Sequence, residues 1–259
     1  MTFNIETAIL SDEEATRLYS RFPELRNGPC PTCRDTGHYR WSGVEVECNC
    51  RQQRQLVKHY SKSGVGVRYQ RLDWSDFSGD PEALSQVSDY ILRYDEMLRE
   101  GMGLLLSGPL GTGKTFLGTM VLKELIKRGY NCWATTFANT IEAFTATWGN
   151  QEEKQWFAKK FMYSQVLLLD DLGRDLRTGN NLPQSTFDSI LRTRVQEGRT
   201  TLLTTNMSMR ELESGYGSAV LSLLKEVSLR IEFTGDDFRP QANARTLTEL
   251  NDNETRPIL

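Results

Sequence analysis

The 259-residue chain has no run of about 18 or more apolar residues, the length a membrane-crossing helix needs, so no membrane partner is expected. Its start, Met1-Thr2-Phe3-Asn4, lacks the basic and apolar regions of a secretory signal, which predicts a soluble, cytoplasmic protein. An excess of positive charge is missing too. With 31 Lys+Arg against 34 Asp+Glu, the net charge of −3 gives no global footprint for nucleic acid, and any such contact must come from a local patch. No internal repeat or low-complexity tract is present. Of the 5 cysteines, only Cys132 stands outside one short cluster, and it is expected to be a buried strand residue.

One local patch exists. Between Arg51 and Leu72, the cations Arg51, Arg54, Lys58, Lys62, Arg68 and Arg71 occur with no acidic residue, which suits either a phosphate-facing surface or a solvated helix and linker. Before it, Ser11 to Arg21 has helical character, with Ser11 and Glu14 at capping-box spacing. After it the pattern alternates. Strands are predicted near 103–107, 131–136, 165–169, 200–205 and 229–233, and helices near 82–99, 114–128, 138–147, 184–197 and 217–227. Such alternation implies a parallel sheet with helices on both faces. The predicted domains are 1–60, a linker over 61–67, an α/β domain over 68–240, and a weakly ordered polar tail over 241–259.

The stretch Gly108-Pro109-Leu110-Gly111-Thr112-Gly113-Lys114-Thr115 places four residues between two glycines and follows the second with Lys-Thr. An apolar strand precedes it and a helical pattern follows. In that setting the loop's N–H groups and the helix N-terminus can surround a β-phosphate. Lys114 would neutralise β/γ-phosphate charge and the Thr115 hydroxyl would ligate Mg²⁺.

A second element has Walker B form. Val166-Leu167-Leu168-Leu169-Asp170-Asp171 ends an apolar strand in two carboxylates, Asp170 to hold Mg²⁺ through its water shell and Asp171 to act as general base. Alone, the pair also reads as a turn before Gly173, and nearby Asp175 has no assigned role. In Thr200-Thr201-Leu202-Leu203-Thr204-Thr205-Asn206, the terminal Asn206 is placed either to orient water against a γ-phosphate or simply as a turn residue.

The spacing Cys30-x2-Cys33-x14-Cys48-x-Cys50 offers four thiolates, as a tetrahedral structural Zn²⁺ requires. Pro31 and Gly37 suit the turn at the first pair. Disulfides and unliganded thiols are the competing readings, and His38 is a spare ligand or a solvent-facing loop residue. A region with so few apolar residues needs a metal or a partner to be stable.

The phosphate loop, Val166-Leu167-Leu168-Leu169-Asp170-Asp171-Leu172-Gly173, and Ile190-Leu191-Arg192-Thr193-Arg194 followed by Arg199 to Asn206 together resemble the DnaC/DnaI type of replicative helicase loaders. They also resemble the related IstB transposition ATPases, within the AAA+ class. The likeness covers about residues 65–240. It implies an AAA+ P-loop ATPase domain with a five-stranded parallel sheet, binding ATP and Mg²⁺ between subunits of a homo-oligomer. It further implies a hexameric replicative helicase and single-stranded DNA as partners. A Cys-Pro-x-Cys-x-Asp-Thr-Gly segment ending in Cys-x-Cys resembles the zinc region of some DnaI-like and phage loaders, so residues 1–60 would grip the helicase; contact with DNA is the other reading.

The likeness fails in one place. Where such loaders carry arginines that reach a neighbour's nucleotide, Gly217 to Leu223 presents Ala219 and Leu223. Lys225, Arg230 or Arg194 are the candidate substitutes, with slow or partner-stimulated hydrolysis expected; a catalytically degenerate adaptor or inhibitor that occupies a helicase without loading it is the other reading. Trp148, near Lys154, occupies a place where related loaders present an aromatic to DNA, with packing at a helix end as its other reading. The resemblance implies adenine, near Val67-Arg68-Tyr69, though nothing in the loop reads the base; Gln155 to Phe161 fits a core-facing helix.

Overall fold

A computed structural model describes residues 32–33, 36–173 and 181–251. The expected helix at Ser11 to Arg21, together with Cys30, Pro31 and Asp175, lies outside the described residues. The chain divides into two compact units, Met1–Leu72 with Arg256–Leu259, and Asp73–Thr255.

In the first unit, strands β1 (His38–Trp41) and β2 (Val44–Glu47) form an antiparallel hairpin. Ser42 and Gly43 both have positive φ, the condition a two-residue turn of this hand imposes. Helix α1 (Asn49–Lys62) follows, with Val57 and Tyr60 buried, then a short α2 (Val67–Gln70). The stretch expected to be a 61–67 linker instead holds the end of α1, a turn and the start of α2. Val65 within it is buried, and Gln70 Nε2 donates to the Val65 carbonyl at 3.1 Å.

The second unit opens with a 3-10 turn (Trp74–Asp76), then α3 (Pro81–Leu92) and α4 (Tyr94–Arg99). One helix over 82–99 was expected; the chain breaks at Arg93, whose φ of −106° and ψ of 21° leave the helical region. Next come β3 (Gly103–Ser107), α5 (Lys114–Lys127), β4 (Cys132–Thr136), α6 (Phe137–Ala146) and α7 (Gln151–Phe157). A π turn over Ala158–Met162 leads to β5 (Val166–Leu172), α8 (Leu182–Gln196) and β6 (Thr200–Thr205). The remainder is α9 (Met209–Tyr216), α10 (Ser218–Val227), β7 (Ser228–Glu232) and α11 (Arg239–Asn251).

The five strands pair in parallel in the order β4-β5-β6-β3-β7, an α/β sheet of AAA+ type that puts the strand before the phosphate loop inside the sheet. Alternation along the strands sends residues to two faces. Leu105, Leu167, Leu169 and Leu203 join Phe137, Phe187 and Tyr216 in one buried layer. On the other face Leu106, Leu168 and Thr204 approach Gly118 of α5, where an added Cβ would meet Leu168 at 3.2 Å; a bare backbone lets that helix lie close to the sheet. Cys132 is buried at the edge of β4, as expected, and burial pushes its thiol pKa up.

In the second unit two helices were not predicted. Helix α9 starts at a capping box, Ser208 with Glu211, a local signal present in the sequence. Helix α11 takes in residues 241–251, the described part of the stretch expected to be a weakly ordered tail; 252–259 lie outside the described residues. Asp237 Oδ1 accepts from the Arg239 N–H at 2.9 Å, and Pro240 sits in the first turn, where no N–H is needed. A side-chain ion pair from Arg245 to Asp76 at 2.5 Å then anchors the helix on the domain.

Candidate nucleotide site and cysteine cluster

The end of β3, the turn into α5 and the end of β5 are brought together by parallel pairing to β6. Gly113 starts α5 with φ of 94°, a left-handed conformation that glycine adopts without strain. Lys114 is 6 % exposed, and its Nζ donates to the carbonyls of Gly108 at 2.9 Å and Pro109 at 2.5 Å. The Thr112 hydroxyl also donates to the Pro109 carbonyl, at 2.9 Å, so the loop holds its own lysine in place. Burial pulls the Lys114 pKa down, while the charges of Asp171 and Asp170 push it back up. Leu110, at the loop tip, is exposed.

Thr115 Oγ1 donates to Asp170 Oδ1 at 2.8 Å, joining the phosphate loop to the β5 strand end. Thr204 Oγ1 donates to the same oxygen at 2.5 Å and accepts from the Asp171 N–H at 3.0 Å. The register explains this convergence. Leu169 pairs with Leu203 and Leu172 with Thr205, so Asp170 and Asp171 together face the one residue Thr204 in a β-bulge. Asp171 takes φ of 58°, unusual for a non-glycine residue, and is half-buried. Burial raises the Asp170 pKa, and the Thr204 and Thr115 hydroxyls oppose that rise. A divalent cation beside this carboxylate would favour its charged form further.

Asn206 lies one residue beyond β6 and is exposed, at the same sheet end as Asp170 and Asp171. Phe77 was not singled out by sequence; a Cβ added at Gly113 would stand 2.5 Å from its ring, and it packs at 5.6 Å from Phe116. Asp237 and Arg239 were also missed as neighbours of the loop. The Phe238 N–H donates to the Gly111 carbonyl at 3.1 Å, and the charge of Arg239 contributes to lowering the Lys114 pKa. Nothing local in Gly235 to Arg239 announces this, because the contact depends on where β7 ends.

The candidate substitutes for the absent arginines separate sharply. Arg194 is 0 % exposed and donates to the carbonyls of Phe161, Ser164 and Thr200 and to the Thr201 hydroxyl, so its guanidinium serves the interior and reaches no neighbouring subunit. Arg230 is exposed on the edge strand β7, bonded to Glu232 at 2.6 Å. Lys225 is exposed on α10; Ala219 is exposed there too, whereas Leu223 packs against the core. Trp148 is 65 % exposed, touching Phe144 edge-on, with Lys154 also at the surface. In Gln155 to Phe161, Phe157 and Phe161 are buried and stacked at 4.3 Å, while Trp156 remains partly exposed.

In the first unit, Cys33, Cys48 and Cys50 bring their sulfurs within 4.8 Å of one another, with Cys33 and Cys50 at 3.4 Å. The hairpin returns the chain so that the Cys33 turn meets the start of α1. Cys48 is the residue before the helix and Cys50 lies in its first turn, where the helix dipole favours thiolate. Arg54 Nη2 donates to Cys50 Sγ at 3.1 Å. A tetrahedral zinc with Zn–S of about 2.3 Å sets its sulfurs roughly 3.8 Å apart, so the three described thiols fit such an ion. His38 Nε2 is instead engaged with Arg51 at 2.6 Å.

Residues 43–243 match the family described as IstB-like ATP binding protein. The chain is 24 % identical over 241 residues to the uncharacterized protein YdaV of Escherichia coli K12, covering 90 % of this chain and 95 % of that protein. It is 22 % identical over 218 residues to the replicative helicase loader DnaC of the same strain, covering 82 % and 86 %. The crystal structure of the DnaC helicase loader superimposes with a TM-score of 0.58 at 22 % identity, over 65 % of this chain and all of that one, 100 %. Among the described residues no helix is long and apolar enough to cross a membrane.

Proposed function

The chain belongs to the family of IstB-like ATP binding proteins, and from that membership we propose that it is an ATP-dependent loader of a hexameric replicative helicase onto single-stranded DNA. The observation that carries the nucleotide half is the hydrogen bond from Thr115 to Asp170, since it brings together the hydroxyl and the carboxylate that would hold a phosphate-bound Mg²⁺. Gly108 to Thr115 would cradle the phosphates through backbone N–H groups, with Lys114 leaving its loop carbonyls for the β/γ-phosphates. Mg²⁺ supplies charge neutralisation at the transferred phosphoryl group. Asp171 would act as base towards water, and Asn206 would orient that water.

The helicase half rests on extent. The 218 residues aligned with DnaC exceed the whole span from Asp73 to Thr255, so the similarity reaches into the cysteine-bearing unit. In this reading that unit, folded around zinc on Cys30, Cys33, Cys48 and Cys50, grips the helicase. The ATPase domain assembles as a homo-oligomer around single-stranded DNA, to which Trp148 offers an exposed stacking surface. With Ala219 at the exposed start of α10, a neighbour's nucleotide receives no arginine from that position, and hydrolysis is slow unless a partner stimulates it. The same family membership supports a second reading, an IstB-like ATPase acting with a transposase on duplex DNA.

Light scattering on the chain mixed with a replicative helicase, with and without ATP, tests the first reading. A stable complex that changes with ATP and is lost in Lys114→Ala is expected; binding to a transposase and not to a helicase would select the second.

A further inference from the structure

We propose that residues 234–251 form a strap whose docking against the phosphate loop is coupled to nucleotide occupancy, with Asp237 as the group that opposes bound phosphate. The inference rests on the nucleotide-site reading above. It starts from three anchors that span the loop. Thr234 donates to Asp80 Oδ2 through both its N–H and its hydroxyl, at 2.9 Å each, while Asp80 Oδ1 caps α3 by accepting from the Glu82 N–H at 2.9 Å. From there the chain crosses the loop, and the Phe238 N–H bonds the Gly111 carbonyl at 3.1 Å. Beyond it, Arg245 of α11 pairs at 2.5 Å with Asp76, whose side chain is only 3 % exposed.

Between these anchors, a carboxylate touches the phosphate loop. Gly111 has φ of 79°, and a Cβ built on it would stand 1.9 Å from Asp237 Oδ1, so the acid lies directly on the loop's backbone. That oxygen also caps α11 through the Arg239 N–H. A loop whose backbone gathers polyphosphate therefore carries a fixed anion on its wall, with Asp236 adjacent in sequence. A triphosphate in the loop and this carboxylate repel, which weakens binding while the strap is docked. The same repulsion loosens the strap once nucleotide is bound, because coupling between two equilibria is reciprocal. Arg239 carries the opposite charge, so the phosphates attract one strap residue and repel another; a substitution at Asp237 tests the repulsive side. The consequence is that α11, and any surface it covers or presents, becomes nucleotide-responsive.

The test uses the full chain and a fluorescent ATP analogue with Mg²⁺, comparing wild type, Asp237→Asn and Lys114→Ala. Asparagine keeps the helix cap, so the fold is retained while the charge is removed. Asp237→Asn is expected to tighten the analogue about tenfold, with a smaller gain for the corresponding ADP analogue. Hydrogen exchange at the Phe238 amide should rise in wild type when ATP is added. Equal affinities for wild type and Asp237→Asn, with Lys114→Ala losing binding, overturn the strap and leave the nucleotide site standing. Binding that is indifferent to Lys114→Ala overturns the nucleotide site, and the strap with it.

Discussion

The hydroxyl of Thr204 and the carboxylate of Asp170 meet at 2.5 Å, and this bond ties the acidic end of β5 to the neighbouring strand β6. One side chain restrains two acids. Its oxygen donates to Asp170 and accepts from the Asp171 N–H, so the bulge that lifts Asp171 into positive φ is pinned from the neighbouring strand. Thr204→Val keeps the shape and removes both bonds. It is expected to lose about 1–3 kcal/mol of stability, the cost of leaving buried polar groups unpaired. Turnover should fall about tenfold or more with a smaller change in nucleotide affinity, and Thr204→Ser should recover both. Thermal unfolding and a steady-state ATPase assay measure the two effects.

Arg194 is an interior brace. Its fork of donors reaches the carbonyls of Phe161, Ser164 and Thr200, which lysine cannot satisfy together. Burial pushes its pKa down to about 9, so it remains charged at neutral pH. Arg194→Lys should cost about 3 kcal/mol or more in urea unfolding. Its nucleotide affinity, measured below the unfolding transition, should stay close to wild type. A selective loss of oligomer-stimulated hydrolysis at unchanged stability would instead return Arg194 to the list of trans-acting groups.

Zinc content gives a third prediction. One ion per chain is expected by mass spectrometry under native conditions, removable by a strong chelator with loss of structure in the first unit alone. Arg54→Ala removes the guanidinium that bonds Cys50 Sγ and should weaken zinc affinity at least tenfold in competition with a chromophoric chelator. A chain that binds no zinc when refolded with excess metal would refute the site.

Lys123 ties stability to alkaline pH. It is buried on α5, and burial first, then the charge of Lys127, pull its pKa to about 8, against opposing contributions from Asp73, Glu124 and Asp76. Between pH 8 and about 10 the unfolded chain holds this proton and the folded one does not, so stability from this group rises with pH across that window. Below pH 8 both states hold it and the slope vanishes. Urea midpoints of wild type minus Lys123→Met, followed from pH 7 to 10, should therefore increase with pH.

Local spacing made much of this protein legible. The loop from Gly108 to Thr115 and the strand ending in Asp170 and Asp171 are short motifs whose residues must be neighbours in sequence to be neighbours in space. The alternation of apolar strands with amphipathic helices dictated a parallel sheet, since parallel strands need crossovers. Where a local signal was available but competed with composition, as at Ser208 and Glu211 or at Asp237 and Pro240, the polar character of the segment hid a helix.

What tertiary structure alone decided are the meetings across long sequence distances. Thr204 reaches Asp170 only because a one-residue bulge sets the β5–β6 register, and no pattern within either strand encodes that offset. Arg194 looked available for catalysis until packing enclosed it. Asp237 lies on Gly111 because β7 ends beside β3, where the loop begins. The sequence by itself determined which groups the candidate site offers, through residue types at fixed spacing; the fold determined which charges stand within reach of them, through register and burial.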